Sequence, residues 1–305
     1  MSQKYKNKNQ HFIPETYLNS WIDQNRKPNE SPFVWMFPKE FSHNSGKRKS
    51  PKNIFSQNNF YTVKDKNGTR NLKIEDWLND IESRFSVLKK RVLDKKEYIP
   101  KKQRNDLIMF ISALLCRTLA FRDFHIEQHQ ELLRKMETMS ATEGFHSIPF
   151  FSSDASKGQS IEDIKRLIPN MAQTLITEML PSLHFILNKM SINILYTDSE
   201  IGFITSDDPV IAYDPKAKPS VIISQNWLLS PTIEITCPIS PYLLLLLTWK
   251  PLNDSTQYIK ADGRLINEAN RFSRAHCNEY IVVNQNLIEP YWFLEGNPLE
   301  ESVKI

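Results

Sequence analysis

The hydrophobic period of this 305-residue chain changes near residue 191, and that change limits the possible folds more than any other feature. Upstream, apolar residues recur at three- and four-residue steps. Trp77, Leu78, Ile81, Phe85, Leu88 and Val92 form one stripe, predicting a helix that begins near Ile74 and ends in the basic segment before Pro100. Leu107, Phe110, Ile111, Leu114, Thr118, Phe121 and His125 continue the pattern, predicting one long helix from about Gln103 to about Met139. A further helical region covers 160–190, with Pro169 and Pro181 expected to start or kink helices. Downstream, short β-type runs follow one another: Ile192 to Tyr196, Gly202 to Thr205, Val210 to Tyr213, Val221 to Ile223, Thr232 to Thr236, Tyr242 to Thr248 and Tyr280 to Val283. A helix is expected around Asp262 to Cys277, with Leu265, Ala269 and Phe272 on one side. The sum is an α+β class: a helical middle followed by a mixed, mostly antiparallel sheet.

The first 70 residues are less regular. Residues 1–9 read as a basic flexible tail carrying Lys4, Lys6 and Lys8, whereas from His11 onward Phe12, Ile13, Tyr17, Leu18 and Trp21 arrive densely enough to dock on a core. Phe33-Val34-Trp35-Met36-Phe37 and Phe60-Tyr61-Thr62-Val63 read as short strands between prolines, and Asn67-Gly68 as a turn. The expected organisation is a single α+β domain over 10–300, with its helical part at about 74–190 and its sheet part at about 192–285.

Composition excludes several function classes. Seven Gly against 18 Pro, with neither G-x-G-x-x-G nor G-x-x-x-x-G-K-[ST], argues against the common nucleotide folds. Cys116, Cys237 and Cys277 are odd in number and far apart, so no disulfide framework or cysteine zinc site is expected and a reducing cytoplasm fits best. No apolar stretch follows the basic start as a secretory signal requires, and the strongest apolar run, Tyr242 to Leu247, is too short to span a bilayer. The net charge of +4 is unevenly spread: residues 1–52 carry ten Lys/Arg against four Asp/Glu, and 89–104 carry eight against two. These two windows hold +6 each and leave −8 for the remainder. Such local charge suits a polyanion, with nucleic acid the expected partner; the plainer reading is solvated lysine on helix ends and loops.

Two motifs stand out as chemistry. In Phe203-Ile204-Thr205-Ser206-Asp207-Asp208-Pro209-Val210 a strand runs into two hydroxyls and two carboxylates. Adjacent acids on an extended backbone point opposite ways, so one can face a site while the other caps the turn; ordinary turn chemistry explains the same residues. The second is the opening Gln10-His11-Phe12-Ile13-Pro14, where a rigid link follows an imidazole able to act as general base or metal ligand near its unperturbed pKa of about 6.5. The plainer role for His11 is a hydrogen bond that seats the N-terminal segment.

These two motifs, with Tyr17-Leu18, Phe60-Tyr61 and Cys237-Pro238-Ile239-Ser240-Pro241, resemble a largely bacterial family known as the domain of unknown function 4238 family, over roughly 10–285. The resemblance implies an acid at Asp207 and, loosely, another on the helix that carries Glu82. Asp208 stands where the family often has Asn, which argues against a strict need for a second carboxylate. No activity comes with the resemblance; its character suggests a defence or mobile-element locus.

The candidate catalytic residues are therefore His11, Glu82, Asp207 and Asp208, with Glu82 and Asp207 as ligands for Mg²⁺ or Mn²⁺ beside His11. Arg117, Arg122 and Asn270 are candidates for phosphate or substrate binding; arginines bordering a buried face also commonly pair with a carboxylate. His125-Ile126-Glu127-Gln128-His129 fails the H-E-x-x-H pattern, and His125 reads as a core histidine. The leading expectation is a metal-dependent nuclease or phosphodiesterase-like hydrolase. The alternative is a non-catalytic binding or regulatory protein that uses the same polar residues structurally, and hydrolysis of a small or peptide substrate is a third reading.

Overall fold

A computed structural model describes residues 9–40, 46–64, 70–143, 160–216, 227–252 and 257–294. The expected strand Val221–Ile223, the Asn67-Gly68 turn and residues 1–8 of the tail lie outside them. Asn9 does not belong to a tail: it begins strand β1 (Asn9–His11), which is followed by the short helix α1 (Glu15–Leu18). Five strands follow in the first quarter of the chain: β2 (Val34–Pro38), β3 (Lys47–Lys49), β4 (Ser56–Asn58), β5 (Val63–Lys64) and β6 (Arg70–Asn71). β1 pairs antiparallel with β4, setting His11 opposite Ser56, and β5 pairs with β6. Of the expected Phe60–Val63 strand only its last residue is extended in β5; Phe60 and Tyr61 lie in a turn.

Helix α2 (Lys73–Leu88) buries Leu78, Ile81, Phe85 and Leu88, as the stripe predicts, and runs into a π turn at Lys89–Leu93. Next, α3 (Lys101–Arg117) sets Phe110 flat against Phe85, with ring centroids 3.7 Å apart at 4°. The expected continuous helix is broken here. Thr118 is extended (φ −67, ψ 150), and α4 (Leu119–Glu143) starts immediately after it. The Thr118 hydroxyl accepts the Phe121 N–H at 3.2 Å, the N-cap that lets a new helix begin without Gly or Pro. Helices α5 (Ile161–Leu167), α6 (Met171–Thr174) and α7 (Leu180–Leu187) complete the middle, with Pro169 and Pro181 in the first turns of their helices as expected.

The later strands are β7 (Ser191–Tyr196), β8 (Thr205–Ser206), β9 (Ile211–Tyr213), β10 (Glu234–Ser240), β11 (Leu243–Thr248), β12 (Tyr258–Lys260) and, after helix α8 (Gly263–His276), β13 (Tyr280–Val283). One sheet has the order β12-β7-β11-β10-β9, antiparallel except where β12 runs parallel to β7. A second sheet, β3-β2-β13-β8, takes two strands from the first 50 residues, so the sheet part is not confined to 192–285. Pro238, inside β10, sits at a register shift next to Ser240, where a missing N–H is tolerated. Gly202 has φ +63, and a Cβ there would lie 2.4 Å from the Pro241 carbonyl oxygen.

One hydrophobic cluster joins Phe12, Tyr17 and Trp21 of the N-terminal arm to α2, α3, α7 and the inner faces of β7, β10 and β11. The arm reaches the sheet through two buried polar tips. Tyr17 Oη donates to the Pro238 carbonyl at 2.7 Å and lies 2.7 Å from Thr205 Oγ1, while Trp21 Nε1 donates to the Phe203 carbonyl at 2.9 Å. Buried phenol and indole groups find partners because leaving them unmet is costly. No helix among the described residues is long and apolar enough to cross a membrane.

Candidate functional site

The arm, the β1/β4 pair and the flank of α2 enclose a half-open cleft of about 770 Å³, with Arg117 in its lining. Glu75, Asn79 and Glu82 recur at helical steps on α2, beside the buried stripe, and all three line the cleft, as do His11, Glu15, Thr16 and Asn19. Arg117 is the last residue of α3, and the break at Thr118 leaves its side chain at a helix end facing α2. Nη1 donates to Glu82 Oε1 at 2.6 Å, Nη2 to the His11 carbonyl at 2.6 Å and Nε to Tyr61 Oη at 3.3 Å. Glu82 also accepts the Thr16 hydroxyl at 3.2 Å. Both side chains are deeply buried, 5% and 13% exposed, so the pair is desolvated and depends on these bonds. Burial opposes the Arg117 charge, but Glu82 and Tyr61 outweigh it and hold the guanidinium above its ordinary value. Burial also pushes the Tyr61 phenol up to about 12, against the pull of Arg117.

Gln10, nearly sealed, ties the arm down beside this pair. Its Oε1 accepts the Tyr61 N–H at 2.7 Å, and its Nε2 donates to Glu75 Oε2 at 2.8 Å and Thr62 Oγ1 at 3.1 Å. The His11 ring meets the Lys52 carbonyl at 3.1 Å, the seating contact foreseen as its plainer role. The cleft thus brings together His11, Glu82 and Arg117, three of the residues singled out from sequence.

It does not bring in the aspartates. Asp207, 6% exposed, follows β8 and faces the turn between α8 and β13. Its carboxylate accepts three backbone N–H groups, Asn278 at 2.8 Å, Glu279 at 2.7 Å and Tyr280 at 3.1 Å. Burial raises its pKa, with those three donors working against the rise. Among the described residues no three His, Cys, Asp or Glu side chains are grouped to hold a metal ion. The expected Mg²⁺ or Mn²⁺ set of Glu82, Asp207 and His11 is therefore not assembled. Glu82 is committed to Arg117 and Thr16, and Asp207 to backbone amides on another element.

Asp208, in the same bend after β8, has different partners. Its backbone N–H is accepted by Ser206 Oγ at 3.1 Å, the Thr118 hydroxyl faces its carboxyl, and its Oδ1 is sealed from solvent without a hydrogen-bond partner. Burial above all, and then the neighbouring Asp207 charge, push its pKa up to about 7. Asp208 therefore lies behind the break that positions Arg117, outside the cleft.

The other binding candidates are also committed elsewhere. Asn270 is buried, with Oδ1 accepting the Ile204 N–H at 2.9 Å and Nδ2 donating to the Gly202 carbonyl at 2.8 Å. The buried face of α8 is accordingly Ile266, Asn270, Arg271 and Ser273; the expected Leu265 is exposed. Arg122 donates to Asp123 at 2.7 Å and lies over the Phe60 ring at 5.3 Å, outside the cleft. His125 is half-buried among Phe121, Phe124 and His129 on α4, not in the core; burial and His129 lower its pKa to about 4. Sequence reasoning missed Glu75 and Asn79, although their spacing to Glu82 repeats that of the apolar stripe. It also passed over Gln10 as a site residue, although Gln10 opens the motif.

The profile of the family described as "Protein of unknown function (DUF4238)" matches residues 9–286. The chain belongs to that family. No curated protein and no solved structure matches it.

Proposed function

We propose that this member of the DUF4238 family is a non-catalytic binding protein whose cleft takes a small, neutral or cationic ligand rich in hydrogen-bond donors. One observation carries this reading: Arg117 and Glu82 in the cleft, and Asp207 and Asn270 outside it, are already spent on the chain itself. All three nitrogens of Arg117, both oxygens of Glu82, both oxygens of Asp207 and both ends of Asn270 have intramolecular partners. A general acid or base needs a free position within hydrogen-bond reach of a substrate, which these groups lack.

Besides Gln10, Thr16 and Tyr61, which are bonded within the chain, the polar lining consists of the carboxamides Asn9, Asn19, Asn58 and Asn79, the carboxylates Glu15 and Glu75, the latter holding Gln10 through one oxygen, one cation at Lys52, and His11. With Arg117 neutralised by Glu82, two acids face one base, a balance that favours donors and opposes a phosphodiester. Three free, buried thiols suit a reducing cytoplasm.

Melting temperature can be followed while nucleosides, sugars, polyamines and dipeptides are titrated in turn. The expected result is a saturable rise with a neutral or cationic compound, lost in Asn58→Leu and Glu15→Ala, with the compound recovered unaltered. Stabilisation only by anions would contradict the reading. The nuclease alternative has the shared location of His11, Glu82 and Arg117 in its favour. RNA or DNA cleavage with Mg²⁺ or Mn²⁺ that disappears in Glu82→Gln would establish it instead.

A further inference from the structure

At the far end of α3 from the cleft, about 25 Å from Arg117 by helical rise, the chain presents an aromatic ring among cations, and its setting is rigid. Lys96 has φ 56 and closes the π turn, with its N–H donating to the Leu93 carbonyl at 3.0 Å and that of Glu97 to the Val92 carbonyl at 3.0 Å. The next turns of chain are fixed to the main sheet. Tyr258 Oη donates to the Glu97 carbonyl at 2.9 Å, the Ile99 N–H donates to Gln257 Oε1 at 3.1 Å, and Lys96 Nζ sits 4.0 Å from the Tyr196 ring centroid. Ile99 is buried, yet Tyr98 between these anchors is 75% exposed.

Lys90, Arg91, Lys95, Lys101 and Lys102, all exposed, flank that ring in the chain and make no ion pair among the described residues, whereas Lys89 and Lys96 are paired with Asp94 and Asp198. Lys101 and Lys102 occupy the first turn of α3, where the helix dipole disfavours positive charge, so helix stability does not explain them. A lone exposed tyrosine is ordinary. One held out by a pinned loop, with five cations outside ion pairs flanking it in the chain against the single such acid, Glu97, has the two parts of a single-strand platform: a face for a base to stack on and net positive charge for the backbone.

We propose that the Tyr98 face binds single-stranded nucleic acid without sequence reading, Tyr98 stacking on an unpaired base and Lys90, Arg91, Lys95, Lys101 and Lys102 tracking phosphates. This surface is separate from the cleft and does not depend on what the cleft holds.

The test is fluorescence anisotropy of the full chain with a labelled mixed-sequence single-stranded 12-mer, its duplex, and phosphatidylserine vesicles, at 50 and 200 mM salt. The wild type should prefer the single strand. Tyr98→Ala should weaken that binding by about 5- to 100-fold with little change in salt dependence, whereas Lys101→Gln/Lys102→Gln should lower the salt slope by about 1–2. Unchanged melting temperatures would confirm that these exposed substitutions leave the fold intact. The proposal fails if the single strand does not bind at 50 mM salt, or if Tyr98→Ala binds like wild type. It also fails if duplex or vesicles bind as tightly as the single strand and are indifferent to Tyr98.

Discussion

At the cleft, Arg117 and Glu82 are buried side chains bonded to each other, with open lining around them; at the aspartate turn, the Asp207 carboxylate is bonded to backbone amides and does not line that cleft. Both regions place ionic groups out of water, but they meet the cost differently. The cleft neutralises charge with charge across two helices and so fixes the arm that forms its wall. The turn surrounds one carboxylate with three N–H dipoles and so fixes the entry to β13. The difference teaches that a buried acid marks a site through the open lining beside it, not through its place near a strand end.

The largest effect that could break this comparison belongs to the cleft. Arg117→Met leaves Glu82 buried without its cation and removes donors from the His11 carbonyl and Tyr61. It should destabilise the protein by about 3–5 kcal/mol, read from the urea midpoint. A loss below about 1 kcal/mol would mean that the pair does not hold the arm. At the turn, Asp207→Asn keeps the shape but removes the charge and one acceptor, and should cost about 2–3 kcal/mol by the same measurement.

Asp208 sharpens the comparison through pH. Its folded pKa of about 7 lies above the unfolded value of about 3.9, so the folded state keeps a proton that the unfolded state releases. Its contribution is full below about pH 4, declines up to about pH 7 and stays lost above that. Asp208→Asn should therefore be more stable than the parent by ~1–3 kcal/mol at pH 8 and equal to it near pH 4. Equal stability at both pH values would show that the carboxyl is better solvated than its sealed oxygen implies.

Much of the fold was legible because period reports burial directly. The α2 stripe, the prolines opening helices at Pro169 and Pro181, and the strands ending at Tyr196, Thr248 and Val283 are in the structure where the pattern put them. The break at Thr118 was hidden because apolar phase continues across one extended residue, and a threonine cap inside an apolar run resembles any β-branched helix position. The pairing of β2 with β13 was hidden for another reason: long-range partners leave no local mark. At the site, residue types were readable and partners were not. His11, Glu82 and Arg117 do meet, whereas Asp207 has the same chemistry but spends it on amides 71 to 73 positions away.

The most direct measurement is a double-mutant cycle between the two regions, combining Glu82→Gln with Asp207→Asn and reading urea unfolding of the four proteins. Independent centres predict additive losses, with a coupling within about 0.5 kcal/mol. A coupling above about 1 kcal/mol would mean that the two carboxylates share one centre, contradicting the division into an open cleft and a sealed turn.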